Sequence, residues 1–106
     1  MIKLIAYKLF RNMKDGSIAP LFINKKARLK LNEWMQAEPH LTKGFAFRPG
    51  WHCTKLPIAP HLSMNGRSWY VVEIEDFTIY NRLESQGGTW LLANRLKILE
   101  KYEKIN

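Results

Sequence analysis

The cleanest alternation of apolar and polar positions lies between Ser68 and Asp76. Tyr70, Val72 and Ile74 fall on one side there, and Trp69, Val71, Glu73 and Glu75 on the other. A period of two is that of a β-strand with one face in a core, and this strand reads as central. Residues 77–80 continue it past a bend, and Glu84-Ser85-Gln86-Gly87-Gly88 reads as a turn. Residues 2–10 are rich in Ile, Leu, Tyr and Phe and predict an opening strand; Asp15-Gly16 turns it into a second over 18–23, where Pro20 calls for an edge or a bulge.

The remaining segments depart from this period. Asn32 is placed to cap a short helix through Glu33-Trp34-Met35-Gln36-Ala37-Glu38, ended by Pro39, with Glu33 favourable to the helix dipole. Gly44-Phe45-Ala46-Phe47-Arg48 predicts a short strand entering a Pro49-Gly50 turn, and residues 54–66 an ordered loop. In the tail, Leu91, Leu92, Leu96, Leu99 and Tyr102 suit a helix, whereas Ala93-Asn94-Arg95 can turn a hairpin; the hairpin is the preferred reading and the helix stays open. Together these elements predict a single α+β domain over residues 1–106: a small, mostly antiparallel split β-sheet with one or two short helices.

Length and charge sharpen this picture. A chain of 106 residues with 46% apolar composition supports one core. The excess of 17 Lys+Arg over 9 Asp+Glu, a formal charge of +8, favours anionic and especially phosphate-bearing partners, although a basic surface also serves solubility alone. A single cysteine, Cys53, makes no intramolecular bridge, and the lysines at positions 3 and 8 interrupt the apolar N-terminal stretch; the expectation is a cytoplasmic protein without a membrane span.

Chemistry concentrates in one loop, Arg48-Pro49-Gly50-Trp51-His52. A tight turn there can aim a guanidinium, an indole face and an imidazole into one concavity, with His61 brought close by the Pro57 and Pro60 connection; these are groups that grip phosphate and stack on a base. The alternative is a core-anchoring Trp51 with Arg48 in solvent. Glu73 and Glu75 share a strand face and form a candidate carboxylate pair for general-base work, against the plainer reading of a solvated edge paired with lysines. His52, Cys53 and His61 match no compact zinc spacing, so no metal is expected and no cofactor is required. Lys25, Lys26, Arg28 and Lys30 form the densest basic run, which together with Trp34 suits a nucleic-acid backbone through charge alone.

The succession Tyr7-Lys8-Leu9-Phe10-Arg11, Asp15-Gly16, Pro20-Leu21-Phe22-Ile23, Glu33-Trp34-Met35-Gln36-Ala37-Glu38, Phe47-Arg48-Pro49-Gly50-Trp51-His52, Pro57-Ile58-Ala59-Pro60-His61 and Trp69-Tyr70-Val71-Val72-Glu73-Ile74 resembles a group of small phage and mobile-element proteins of gut bacteria. Relatives of that group also occur as modules of phage-carried polyproteins. These modules are distantly similar to ADP-ribosyltransferase folds, and that resemblance implies a cleft for NAD as ligand or substrate. Arg11 or Arg48 would then lie on the phosphates and Glu73 or Glu75 in the glutamate role, although the Ser-Thr-Ser strand of the arginine-specific enzymes is absent. A phage setting implies counter-defence: capture of a nucleotide-derived immune signal such as a cyclic nucleotide or cyclic ADP-ribose, or blockade of a host defence protein. Three functions follow as expectations: a binder of a nucleotide-like anion, an ADP-ribosyltransferase, and a basic interaction protein for an acidic host protein or nucleic acid. A homodimer would complete a cleft in so small a domain.

Overall fold

The computed structural model describes residues 2–20, 28–37, 50–58, 62–81, 83–86 and 88–103. These residues form strands β1 (Lys3–Asn12), β2 (Ile18–Ala19), β3 (Trp34–Gln36), β4 (Trp51–Thr54), β5 (Arg67–Asn81) and β6 (Thr89–Lys101), with one 3-10 turn at Glu84–Gln86. Among them there is no α-helix. The α+β expectation, with its ADP-ribosyltransferase-like split sheet and short helices, is therefore corrected: the described fold is all-β.

The strands pair in a ring. β5 is antiparallel to β1 from Lys3↔Glu75 to Arg11↔Arg67, and β6 runs antiparallel to β5 from Tyr70↔Lys101 to Asn81↔Thr89. β4 then joins β6 through Trp51↔Ala93 to Thr54↔Trp90, and returns to β1 through Tyr7↔Thr54. The order β1-β5-β6-β4-β1 closes a small barrel, which leaves few open edges. A second closure runs through β2 on β1, then Ile18↔Leu29 and Leu31↔Ile98.

One face of each strand fills this ring. Ala6, Phe10, Ile18, Cys53, Tyr70, Val72, Ile74, Leu91, Ala93, Leu96 and Ile98 form the core cluster, with Leu4, Leu29, Met35, Trp51 and Phe77 packed against it. The inward positions on β5 are Tyr70, Val72 and Ile74 and then Phe77; on β6 they are Leu91 and Ala93 and then Leu96 and Ile98. Both strands thus slip by one residue at the same level. The slip falls at Asp76, whose φ is 53°, and at Asn94, whose Nδ2 donates to Asp76 Oδ2 at 2.9 Å. The ladder keeps its register across it, with Glu75↔Arg95 on one side and Phe77↔Ala93 on the other. The hairpin is bent there, not broken.

Two local expectations change for the same reason. The segment predicted as a helix after Asn32 is strand β3: Trp34 pairs with Lys97, Met35 with Leu96 and Gln36 with Arg95. Asn32 does not cap; it takes a φ of 61° and donates its amide to Ile98 O at 2.7 Å. A residue trio offers no helix enough length to hold itself, so pairing to β6 decides its conformation. The tail is one strand of 13 residues, and Asn94 marks its bend, where a hairpin turn was expected. Of the expected second strand over 18–23, Ile18–Ala19 is β2 and positions 21–23 lie outside the described residues, as does the strand expected at 44–48.

Among the described residues no helix is long and apolar enough to cross a membrane.

Candidate functional site

β3 and β4 run in the same direction along one edge of β6. β3 ends where the Ala37 amide donates to Asn94 O at 2.7 Å, and β4 begins where Trp51 pairs with Ala93. The described residues on either side of positions 38–49 therefore lie against adjacent positions of β6. Gly50 makes the re-entry possible: its φ is 133°, and a side chain there would meet Leu92 Cβ at 3.4 Å and Ala93 O at 3.5 Å.

Arg48 and His61 lie outside the described residues. Trp51 and His52 are described, and β4 sends them to opposite faces. Trp51 shares the inward side with Cys53 and packs against the core. Its Nε1 is buried with no hydrogen-bond acceptor among the described residues. His52 turns outward to Trp90, ring centroids 6.3 Å apart at 68°. The indole and imidazole therefore do not meet in one concavity. Arg11, at the far end of β1, donates through Nε to Pro20 O at 2.9 Å, which ties it to the end of β2.

Glu73 and Glu75 do share the outward face of β5, as the period of two predicts, but each faces a cation on β6. Glu75, only 4% exposed, pairs with Arg95, its register partner. Glu73 lies 3.4 Å from Lys97 Nζ, again its register partner. Both carboxylates thus have structural partners, and a free general base is not what the geometry offers.

Those cations belong to a larger cluster that the sequence reading did not assemble. Arg95 lies 4.9 Å, Lys97 5.0 Å and Lys3 5.6 Å from the ring centroid of the half-buried Trp34. The cause is register: Lys97 pairs with Trp34 on β3 and with Glu73 on β5, while Lys3 and Arg95 both pair with Glu75. Each such cation–π contact contributes about 0.5–1 kcal/mol where solvent reaches it. Lys3 is the member with no carboxylate partner among the described residues. The only hint in the sequence was the two-residue spacing of Arg95 and Lys97; which strand lies across from them is not written locally.

A further cation points into the barrel. Lys8 sits on the inward side of β1 with Ala6 and Phe10, at the level of Cys53, and donates from Nζ to His52 O at 2.8 Å. Its ammonium also lies 5.6 Å from the Phe10 ring centroid. Burial pulls its pKa down, opposed by the nearby thiol. Burial likewise pushes the Cys53 thiol up to about 12, so it is protonated at neutral pH and is a poor nucleophile. Among the described residues no three His, Cys, Asp or Glu side chains converge as a metal site would need.

No protein-family model, curated protein or solved structure matches this chain.

Proposed function

We propose that this protein binds a nucleotide-bearing anionic ligand on the outer face of its barrel, at the β6 edge where Trp34 gathers Lys3, Arg95 and Lys97. The observation that carries the reading is the convergence of three cations, within 4.9–5.6 Å, on one indole. A phosphate takes hydrogen bonds from guanidinium and ammonium groups, and a planar base stacks on the indole in place of the cation it draws away. The net charge of +8 adds long-range attraction. Small closed β-barrels with an aromatic and basic face are a recurrent platform for such ligands.

The reading asks for no chemical step, and Glu73 and Glu75 serve it by holding Lys97 and Arg95 in place. In the cytoplasm of a phage-infected bacterium, such binding would sequester a nucleotide-derived signal or cover a nucleic-acid strand. Phosphate and base are common to both sources, so titration calorimetry with NAD, a cyclic dinucleotide and a short single-stranded oligonucleotide separates them. A saturable, stoichiometric heat with one probe class is expected, lost in Trp34→Ala and weakened in Lys3→Ala. For an oligonucleotide, the Lys3 variant should also lower the slope of log affinity against log salt by about one. Absence of binding by all three probes at low salt, or binding indifferent to Trp34→Ala, would sink the reading.

A further inference from the structure

The Trp34 cluster carries its own counter-ions. Lys3 and Trp34 stand on strands separated by β5 and β6, which at the usual spacing between neighbours places their backbones about 14 Å apart. Yet Lys3 Nζ lies 5.6 Å from the indole centroid. The two side chains therefore lean towards each other across the outward face of β5 and β6, where Glu73 and Glu75 stand. This cover accords with Glu75 being 4% exposed at an outward-facing position.

Charge at this spot is nearly balanced. Arg95 pairs with Glu75 and Lys97 with Glu73, so the three cations and two carboxylates leave one formal positive charge, that of Lys3. The outward positions bordering the group are Ile5 on β1, which pairs with Glu73, Gln36 on β3, which pairs with Arg95, and Glu100 on β6, which pairs with Val71. None of the three is a cation. A first negative charge on a ligand therefore neutralises the cluster. A second meets a neutral assembly that still presents two carboxylates, and it loses hydration without gaining a partner.

We propose that this site, granted the reading above, takes a base bearing a single phosphodiester charge, and that Glu73 and Glu75 turn away ligands with a second phosphate charge beside it. Discrimination of this kind comes from repulsion set against the wrong ligand as much as from attraction to the right one. The favoured chemistry is that of a nucleoside cyclic monophosphate or of one internucleotide link in a strand. Phosphomonoesters, whose second ionisation near a pH of about 6 leaves them with nearly two charges, are disfavoured, and so are pyrophosphates such as ADP-ribose.

Calorimetry on the full chain with four adenine probes tests the selection: cyclic AMP, the dinucleoside monophosphate ApA, AMP and ADP-ribose. All offer the same ring to Trp34. At physiological ionic strength the screening length is about 8 Å, which confines the comparison to the cluster and mutes the overall charge of +8. Cyclic AMP or ApA should bind about threefold to tenfold tighter than AMP and ADP-ribose at neutral pH. Whichever diester is tighter tells a free cyclic nucleotide from a strand, and either supports the selection. Glu73→Gln should narrow the ratio or reverse it. So should Ile5→Lys, which adds a cation opposite Glu73 at an exposed position and removes no group of the site. Binding that needs Trp34 but is as tight for AMP or ADP-ribose as for the diesters overturns the selection and leaves the site standing. A ratio unmoved by both variants overturns it as well, as does binding confined to longer oligonucleotides, where many phosphates contribute. No heat from any adenine probe or oligonucleotide sinks the binding reading itself, and the selection with it.

Discussion

Lys8 reaches from the inward side of β1 to donate to the carbonyl oxygen of His52 on β4 at 2.8 Å. The two strands share a single ladder pair in their strand register, Tyr7↔Thr54, so this side-chain bond strengthens the seam that closes the barrel. An ammonium in that position is stabilised by the carbonyl and penalised by burial, and burial dominates its lowered pKa.

The sign of the resulting pH dependence follows from proton counting. Between its lowered folded value and the ordinary 10.5, the folded protein has released the Lys8 proton while the unfolded chain still holds it, so this group adds stability as pH rises through that window. Cys53 acts oppositely: its stabilising contribution is complete below 9.0 and is lost between 9.0 and about 12. Lys8→Met removes the first effect and keeps the second. Urea unfolding of both proteins from neutral to alkaline pH should show the stability of the natural chain rising relative to the variant; a difference independent of pH would contradict the burial of the amine.

Glu75 and Glu73 should differ in what they contribute. Glu75 is buried against Arg95, whereas the side chains of Glu73 and Lys97 retain 24% and 25% of their exposure. Glu75→Gln should therefore lower stability by about 1–3 kcal/mol, as loss of a charge-assisted bond at a buried site does, and Glu73→Gln by less than about 1 kcal/mol. Equilibrium urea titrations with a common slope test the order; a larger loss at Glu73 would mean that the outward ladder is misassigned.

The bend at Asp76 makes its own demand. At a φ of 53° a β-branched side chain is strained, while Asp, Asn and Gly are tolerated. Asp76→Val should lower stability by about 1–3 kcal/mol through strain and the lost bond from Asn94, and Asp76→Gly should stay within about 1 kcal/mol of the natural chain. Thermal melts of the two variants would distinguish a required left-handed backbone from a mere side-chain contact, which would weaken both alike.

Trp51 combines a large core contact with an orphan donor. Trp51→Phe keeps most of the aromatic contact and removes an indole N–H whose burial without a partner costs about 1–3 kcal/mol, so the net change should be within about 1 kcal/mol. Trp51→Ala should lose about 3–5 kcal/mol. Denaturant midpoints for the pair measure this; equal losses would show that the N–H has an acceptor after all.

Much of the sheet was readable along the chain. Tyr70, Val72 and Ile74 fill the core and Glu73 and Glu75 share the other face, because strand periodicity is a local property. Trp34, Met35 and Gln36 misled because three residues carry no period long enough to distinguish helix from strand, and only the edge of β6 decided between them. Asn94 suggested a turn and proved to be half of a paired bend, since its partner Asp76 lies 18 positions away and no local signal links them. The strand that begins at Trp51 was not expected, because Pro49-Gly50 signalled only a turn and no alternating run follows it. Strand alternation then sent its two aromatic rings to opposite faces.

What the amino-acid order determined by itself was a basic composition, its two longest strands in part, and the shared face of Glu73 and Glu75. These depend on composition and on neighbours one or two residues apart. Tertiary structure alone decided that the strands close into a ring, that Lys8 turns inward beneath His52, and that Lys3, Arg95 and Lys97 meet over Trp34. Those placements depend on register between strands distant in sequence. A shift of one residue would have sent every one of these side chains to the opposite face.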